Sequence, residues 1–445
     1  MHHGVFQTAL VDAVNVFGRQ LEAQGLHVAF NHVEQGRNPH PFFCLHCTTK
    51  ESCHHEHQRP LNCPCLHAHK IPQLGPLPYL RNMANSNSVN QLQPPPDNLL
   101  VDLRSDTVTV PTKEMMVAMS EAPVGDDVFG EDPSVQELQS RCAALMGHEA
   151  ALFCPSGTMT NQIAIQVHTQ PGDEVICDRL SHIYNYEGGG IARNSGASVR
   201  LLHGDRGRFD VDECLSNINP SDSHYARTSL VAVEDTCNKG GGSVWEMDDL
   251  STVSQAARSR GLAFHLDGAR AWNAFVVRGQ WEDRKAMSSY GQLFDSMSLC
   301  FSKGLGCPVG SVLVGSHDFI AEAHRSRKAM GGGMRQAGIL AAAGLHALDS
   351  HVSRLAIDHH HAIMLEKALN LHPDVQSVDP VESNIVIFNL HGTHADQAVA
   401  ALSQQGIACF AFGPDKVRLV THLDVHAAQL EEACERLGDA RWPAS

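Results

Sequence analysis

The chain has 445 residues, 42% of them hydrophobic, enough for a large buried core and for two or three domains. With 33 Lys and Arg against 49 Asp and Glu, its formal net charge is -16; nucleic acids and anionic membranes both need a basic face, so neither is expected as a partner. The longest apolar run, "GILAAAGLHAL" from Gly338 to Leu348, is too short to cross a bilayer.

Residues 1–97 read as a unit apart, holding 11 of the 29 histidines and 5 of the 14 cysteines with little periodicity. The amphipathic stretch from Phe6 to Phe17 carries no arginine cluster and no cleavage-like site. From Cys44 to His69 there are thiols and imidazoles enough for zinc. Their spacing matches no zinc-finger pattern and no hydrophobic core surrounds them, so this segment is read as a disordered leader without a metal site. The remaining nine cysteines are scattered through helix-like and strand-like segments. A chain of this size is no disulfide scaffold, and most of these residues are expected to be buried free thiols in a reducing compartment. A cytoplasmic location follows as the expectation, with a mitochondrial one left open by the leader.

From Val101 onward, short apolar runs alternate with helical patterns. "ALFC" leads into "SGTMTNQIAIQVH", and "EVICD" into "SHIYNYE"; then follow "SVRLLH", "SLVAVED", "LAFHLDG", "SMSLCFS" and "SVLVG". "SVQELQSRCAALMG" reads as a helix with a Ser134 cap and a Gly147 stop. This texture predicts an α/β domain over 98–350 with a mostly parallel sheet covered on both faces. Residues 351–445, with "SNIVIFNL", "IACFA" and "VRLVTH", predict a smaller α+β domain.

In open α/β sheets, ligands bind beyond the carboxyl ends of the strands, and four features fall there. "PSGTMTNQ" puts Ser156, Gly157 and Thr158 between a strand and a helix, where free N–H groups attract a phosphate and where a simple helix cap would look the same. His182 in "SHIYNYE" could stack on a planar ring or move protons. Asp267 in "FHLDGAR" ends an apolar strand, to cap a turn or to meet a cation such as a protonated ring nitrogen. Lys303 in "CFSKGLGCPVG" sits among small, apolar and glycine residues. An amine kept from water there is partly neutral and nucleophilic enough to form a Schiff base. Together the four make up the set of groups that pyridoxal phosphate needs.

The strings "DLRSDTVTVPT", "VGDDVFGEDP", "ALFCPSGTM", "SHIYNYEGG", "LDGARAWNA", "SKGLGCPVGSVLVG", "GGGMRQAGILAAAG" and "VRLVTH" occur in this order. On them the chain resembles the low-specificity L-threonine aldolases, pyridoxal 5′-phosphate enzymes of the aspartate-aminotransferase-like fold type I, over residues 101 to 438. The resemblance implies a seven-stranded, mostly parallel sheet and retro-aldol cleavage of L-threonine and L-allo-threonine to glycine and acetaldehyde. By the same resemblance Lys303 carries the cofactor, Asp267 pairs with the ring nitrogen, His182 stacks on the ring, and Gly157 and Thr158 hold the phosphate. Arg335 is expected to reach the phosphate of a neighbouring subunit, which implies a homo-oligomer, a dimer of dimers. Ser105, Arg270 and Arg418 would bind the substrate carboxylate, with Arg270 also beside the cofactor. His182 is the candidate base for the β-hydroxyl, and His224, which also matches a family position, could share that task.

The chain departs from the family in three places. Cys237 and Asp235 in "EDTCN" replace a histidine and an asparagine, and Phe129 stands where a tyrosine is frequent. A β-eliminating lyase or a serine or phenylserine aldolase on the same scaffold is the alternative. A catalytically weak protein with a metal-binding leader is the alternative from another class.

Overall fold

The structure is a computed structural model and describes residues 98–442. The reading of residues 1–97 as a leader lies outside the described residues.

The strands in chain order are β1 (Val101–Asp102), β2 (Ala150–Cys154), β3 (Glu174–Asp178), β4 (Ser198–Leu202), β5 (Thr228–Glu234), β6 (Ala263–Gly268), β7 (Ser296–Cys300) and β8 (Ser311–Gly315). Seven of them form one sheet in the order β2-β8-β7-β6-β5-β3-β4. All neighbours pair in parallel except β8, which is antiparallel to both β7 and β2. β2 therefore runs the same way as β3, β5, β6 and β7, and the carboxyl ends of these five strands share one edge.

Alternation along the strands explains why the sheet is covered on both faces. Ile176, Val231, Val233 and Phe153 enter one core, against helices Pro133–Met146 and Met247–Ser259. Their chain neighbours Val175, Cys177, Leu230 and Ala232 point to the opposite face, against Ile165 of helix Gly157–His168. With a side-chain period of two, a strand apolar at every position must be buried on both sides. Each such side chain contributes about 1.5–3 kcal/mol.

Helix Pro133–Met146 corrects one detail of the sequence reading. Its cap is Asp132, which accepts from the Val135 N–H, with Pro133 at the first helical position; Ser134 instead donates to the Pro123 carbonyl at 2.7 Å. A proline whose missing N–H costs nothing at the first turn shifts the helix start upstream of Ser134. Gly147 ends the helix at φ 66°, as expected.

A second core is built on β9 (Val375–Val378), β10 (Ile385–Leu390), β11 (Ile407–Ala408), β12 (Phe410–Ala411) and β13 (Lys416–Val420), flanked by helices Leu355–Asn370, Ala395–Gln404 and Ala427–Asp439. Its four-stranded antiparallel sheet has the order β12-β13-β10-β9, and β1 pairs separately with β11. Val101 and Leu103 lie in this second core, so the chain passes through it before building the large sheet. Along β13, Val417 and Leu419 enter that core. Period two turns Arg418 to the other side, where its Nη1 meets Asn238 in the loop after β5.

Candidate active site

The shared carboxyl edge collects the groups singled out from the sequence. β2 ends at Cys154 and leads through Ser156 into helix Gly157–His168, where the Ser156 hydroxyl accepts from the Met159 N–H at 3.2 Å. Ser156 is thus a helix cap, and the first turn beyond it still presents backbone N–H groups. A Cβ built on Gly157 would meet only ordinary contacts, Ser311 Oγ at 3.5 Å and Cys300 at 3.9 Å. Protein packing does not demand glycine there, Thr158 beside it is exposed, and a helix start of this kind suits a phosphate.

Lys303 follows β7, half-buried, with its carbonyl fixed by the Thr109 hydroxyl at 2.8 Å. Its Nζ lies 3.4 Å from the Cys300 Sγ and forms no ion pair among the described residues. Burial pushes the Cys300 thiol up, but the Lys303 ammonium and the hydroxyls of Ser302 and Ser311 outweigh it, and the net shift is downward.

Asp267 ends β6 fully buried. Its Oδ1 accepts from the Ala269 N–H at 3.1 Å, while its Oδ2 has no hydrogen-bond partner. One oxygen thus caps a turn, as one of the two expectations had it, and the other is left without a partner. Burial raises its pKa, opposed by His182 and Lys303. Ligand atoms of Asp267, His182 and Glu187 lie within 4.8 Å of one another. Glu234, at the end of β5, is pushed up to about 7 by burial and by Asp267. Three carboxylates thus crowd this pocket, and a protonated ring nitrogen would relieve them.

His182 is oriented by groups that the sequence reading passed over. Its backbone N–H donates to Glu234 Oε2 at 2.8 Å, and its ring Nδ1 lies 3.0 Å from Glu187 Oε1. The Glu187 side chain is 0% exposed and also accepts from Asn161 Nδ2 at 2.9 Å and Gln162 Nε2 at 2.6 Å. Behind it, Asn161 Oδ1 lies 3.2 Å from the Nε2 of His265, whose Nδ1 meets Ser296 Oγ at 2.8 Å. Burial drops the His265 pKa to about 3 and keeps that ring neutral. With every Glu187 partner a donor, the network assigns the His182 proton to Nδ1 and leaves Nε2 as an acceptor. Burial lowers the His182 pKa, but Glu187 and the neighbouring Asp267 and Glu234 override it and the net shift is upward.

The three groups expected to hold a carboxylate are not equivalent. Arg270 is buried, and its Nε and Nη2 both go to Asp106, at 2.8 and 2.6 Å. The side-on face of Arg270 is thus paired with Asp106, while Nη1 stays outside that pair. Burial would raise the Asp106 pKa, but Arg270 overrides it and holds it down. Ser105 accepts from the Thr107 N–H and caps the turn that presents Asp106. Arg418 is buried without a carboxylate partner: Nη1 donates to Asn238 Oδ1 at 2.8 Å, Nη2 to the Arg104 carbonyl at 3.2 Å, and Nε has no partner. Burial, helped by repulsion from Arg270, lowers its pKa to about 10. An anion placed there would restore it.

His224 is not brought to the cluster by its own chain. It precedes β5, at the amino edge of the sheet, with its side chain 86% exposed and its Nδ1 2.7 Å from Asp222. The parallel direction of β5 puts the length of that strand between His224 and Glu234. Arg335 is exposed, paired with Asp126 at 2.8 Å and lying over the Phe129 ring at 5.9 Å. Of the other departures, Cys237 is buried, and burial raises its thiol pKa well above the ordinary value. Asp235 is fully buried and accepts from Arg278 Nη2 and Tyr290 Oη, each at 2.7 Å. A carboxylate is tolerated there because Arg278 neutralises it.

The family described as "Beta-eliminating lyase" matches residues 102–393. The low-specificity L-threonine aldolase of Escherichia coli is 41% identical over 347 residues, covering 78% of this chain and 99% of the relative. The chain belongs to the low-specificity L-threonine aldolase family. The low-specificity L-threonine aldolase 1 of Arabidopsis thaliana is 39% identical, over 72% of this chain and 91% of its own length. The solved threonine aldolase of Leishmania major aligns with TM-score 0.66 and 19% identity, over 76% of this chain and 98% of that one, and confirms the fold. This aldolase-family chain is a lyase of fold type I, and its cofactor is pyridoxal 5′-phosphate. Its residues fit that group: the free Asp267 Oδ2, Gly157 with no packing contact that demands glycine, and the Lys303 amine, which meets only the Cys300 thiol and no carboxylate among the described residues.

Proposed function

We propose that this chain cleaves L-threonine and L-allo-threonine to glycine and acetaldehyde. The observation that carries this reading is the His182–Glu187 pair beside Asp267, on which the Lys303 charge acts, together with a buried Arg418 that has no carboxylate partner. Lys303 would hold the cofactor by its amine, Asp267 Oδ2 would pair with the ring nitrogen, and Gly157 and Thr158 would bind the phosphate through the helix N-terminus. The bound cofactor supplies an electron sink at the substrate α-carbon.

Arg418 would take the substrate carboxylate, with Ser105 beside it and the Asp106–Arg270 pair fixing the wall between. A guanidinium that keeps only neutral partners has its charge available for a planar anion. His182 Nε2 would accept the β-hydroxyl proton as the Cα–Cβ bond breaks. The electron pair of that bond stays on the Cα side, acetaldehyde leaves, and a proton added at Cα completes glycine. Glu187 would stabilise the His182 imidazolium that forms. Such a positioned base contributes about 10²–10⁴-fold.

Arg335 would serve the cofactor phosphate of a neighbouring subunit. Its exposure supports this, as do the exposed apolar Val124 and Phe129, two and three residues from its partner Asp126, which suit a homo-oligomeric contact. Among the described residues nine cysteines are free, which supports a reducing, cytoplasmic location, and no helix there is long and apolar enough to cross a membrane.

The test is product analysis. Incubating holoenzyme with each threonine diastereomer should yield acetaldehyde and glycine in equal amounts, and a Lys303→Ala variant should yield neither.

A further inference from the structure

At the same edge, with Phe412 in its wall, lies a cavity of about 520 Å³, a size typical of small-molecule sites. Loops after β3, β4 and β5 meet the second sheet there, and the charged groups lining it are Arg179, Asp205, Arg206, Lys239, Asp379 and Lys416. Both carboxylates are engaged: Asp205 Oδ2 with Arg208 at 3.2 Å, and Asp379 Oδ1 with Asn389 Nδ2 at 3.1 Å. Arg206 is also committed. It pairs with Glu382 and donates to the carbonyls of Gly240 and Pro380, each at 2.7 Å. Those bonds hold it at φ 52°, a left-handed backbone unusual for a non-glycine residue.

Arg179, Lys239 and Lys416 form no ion pair among the described residues; Lys239 only lies over the Tyr186 ring, 5.6 Å from its centroid. On a chain of net charge -16, the lining carries four cations against two carboxylates, a local excess of positive charge. The cavity also adjoins the active site. Its wall residue Phe412 packs against the Arg418 guanidinium at 4.8 Å, and Tyr186 lies 5.6 Å from the His182 ring.

We propose that this cavity is a second anion site, in which Arg179, Lys239 and Lys416 bind a small carboxylate or phosphate group. Arg179 can present a planar fork, and the lysines add point charges from two other elements. The anion has two possible sources: a free ion, or the far end of a β-hydroxy-α-amino acid longer than threonine. The second source rests on the aldolase reading; the first does not.

The test uses holoenzyme, so that the cofactor's own phosphate occupies the helix start at Gly157. Inorganic phosphate is titrated calorimetrically into wild type and into a Lys239→Gln/Lys416→Gln double variant. Saturable binding at one site per chain is expected, weakened about 10-fold or more in the variant, with the absorbance of bound cofactor and L-threonine cleavage unchanged. No saturable binding by wild type, or equal binding by the variant, overturns the proposal. A second arm compares kcat/KM for L-threonine with that for a β-hydroxy-α-amino acid ending in a carboxylate. A preference for the acidic substrate that the double variant loses assigns the site to a substrate tail. Phosphate binding without that preference assigns it to a free anion. If neither substrate is cleaved but phosphate still binds, the aldolase reading has failed and the anion site stands.

Discussion

Glu187→Gln perturbs the group that sets the state of His182. The substitution keeps the volume but removes the charge, and it turns an amide toward partners that are all donors: Asn161 Nδ2, Gln162 Nε2 and His182 Nδ1. A hydrogen bond to a charged group contributes about 1.5–3 kcal/mol, and the Glu187 side chain is wholly buried, so water screens little of it. Stabilisation of the imidazolium in the transition state should fall by that amount. At 1.36 kcal/mol per decade, kcat/KM for L-threonine drops roughly 10–150-fold. The pH profile separates this from a general loss of structure. His182 must be neutral to accept the β-hydroxyl proton, and Glu187 is the main group raising its pKa above the ordinary 6.5 against burial. The wild-type acid limb should therefore lie above that value, and the variant's should move to lower pH. Glu187→Asp, which keeps the charge, should recover part of the rate. An unmoved acid limb with a rate within about 3-fold of wild type would refute the role given to Glu187.

Arg418→Lys should raise KM for L-threonine about 10-fold or more with little change in kcat, since lysine cannot offer a bidentate fork; a fall in kcat at constant KM contradicts carboxylate binding. Asp235→Asn, which restores the family residue, should lower the melting temperature by the equivalent of about 3 kcal/mol, because it strips the part-buried Arg278 of its counter-charge. An unchanged melting temperature would mean that Arg278 finds other support. Glu234 titrates near 7 when folded, against an ordinary 4.5. A raised carboxyl pKa means the folded state holds the proton more tightly, so its contribution is fully present below about pH 4.5 and lost as pH rises through about 7, roughly 3 kcal/mol at most. Apo Glu234→Gln should thus gain stability relative to apo wild type between pH 5 and pH 8; a difference that does not vary with pH refutes the linkage.

The sheet was legible because its strands are apolar at nearly every position and are punctuated by helices, a pattern that only a doubly covered parallel sheet satisfies. Lys303, Asp267 and His182 were legible because each breaks that pattern at a strand end. Glu187 and Asp106 were not, because their meaning lies in partners far along the chain: Asn161 and Gln162 for one, Arg270 for the other. The pairing of Arg270 was hidden for the same reason, since nothing local reveals that Asp106, 164 residues away, takes its Nε and Nη2. His224 misled because matching a motif position says nothing about which edge of the sheet a loop occupies. The helix at Pro133 shows the limit of local rules, where both Asp132 and Ser134 are good caps and the proline between them decides.

The most direct test of the central claim is the product balance from L-threonine with cofactor-loaded wild type beside Lys303→Ala. Acetaldehyde and glycine in a one-to-one ratio from wild type, with the bound-cofactor absorbance and both products lost in the variant, is the predicted result. Ammonia and 2-oxobutanoate in place of acetaldehyde would mean that the Cα–Cβ bond stays intact and that the site eliminates rather than cleaves.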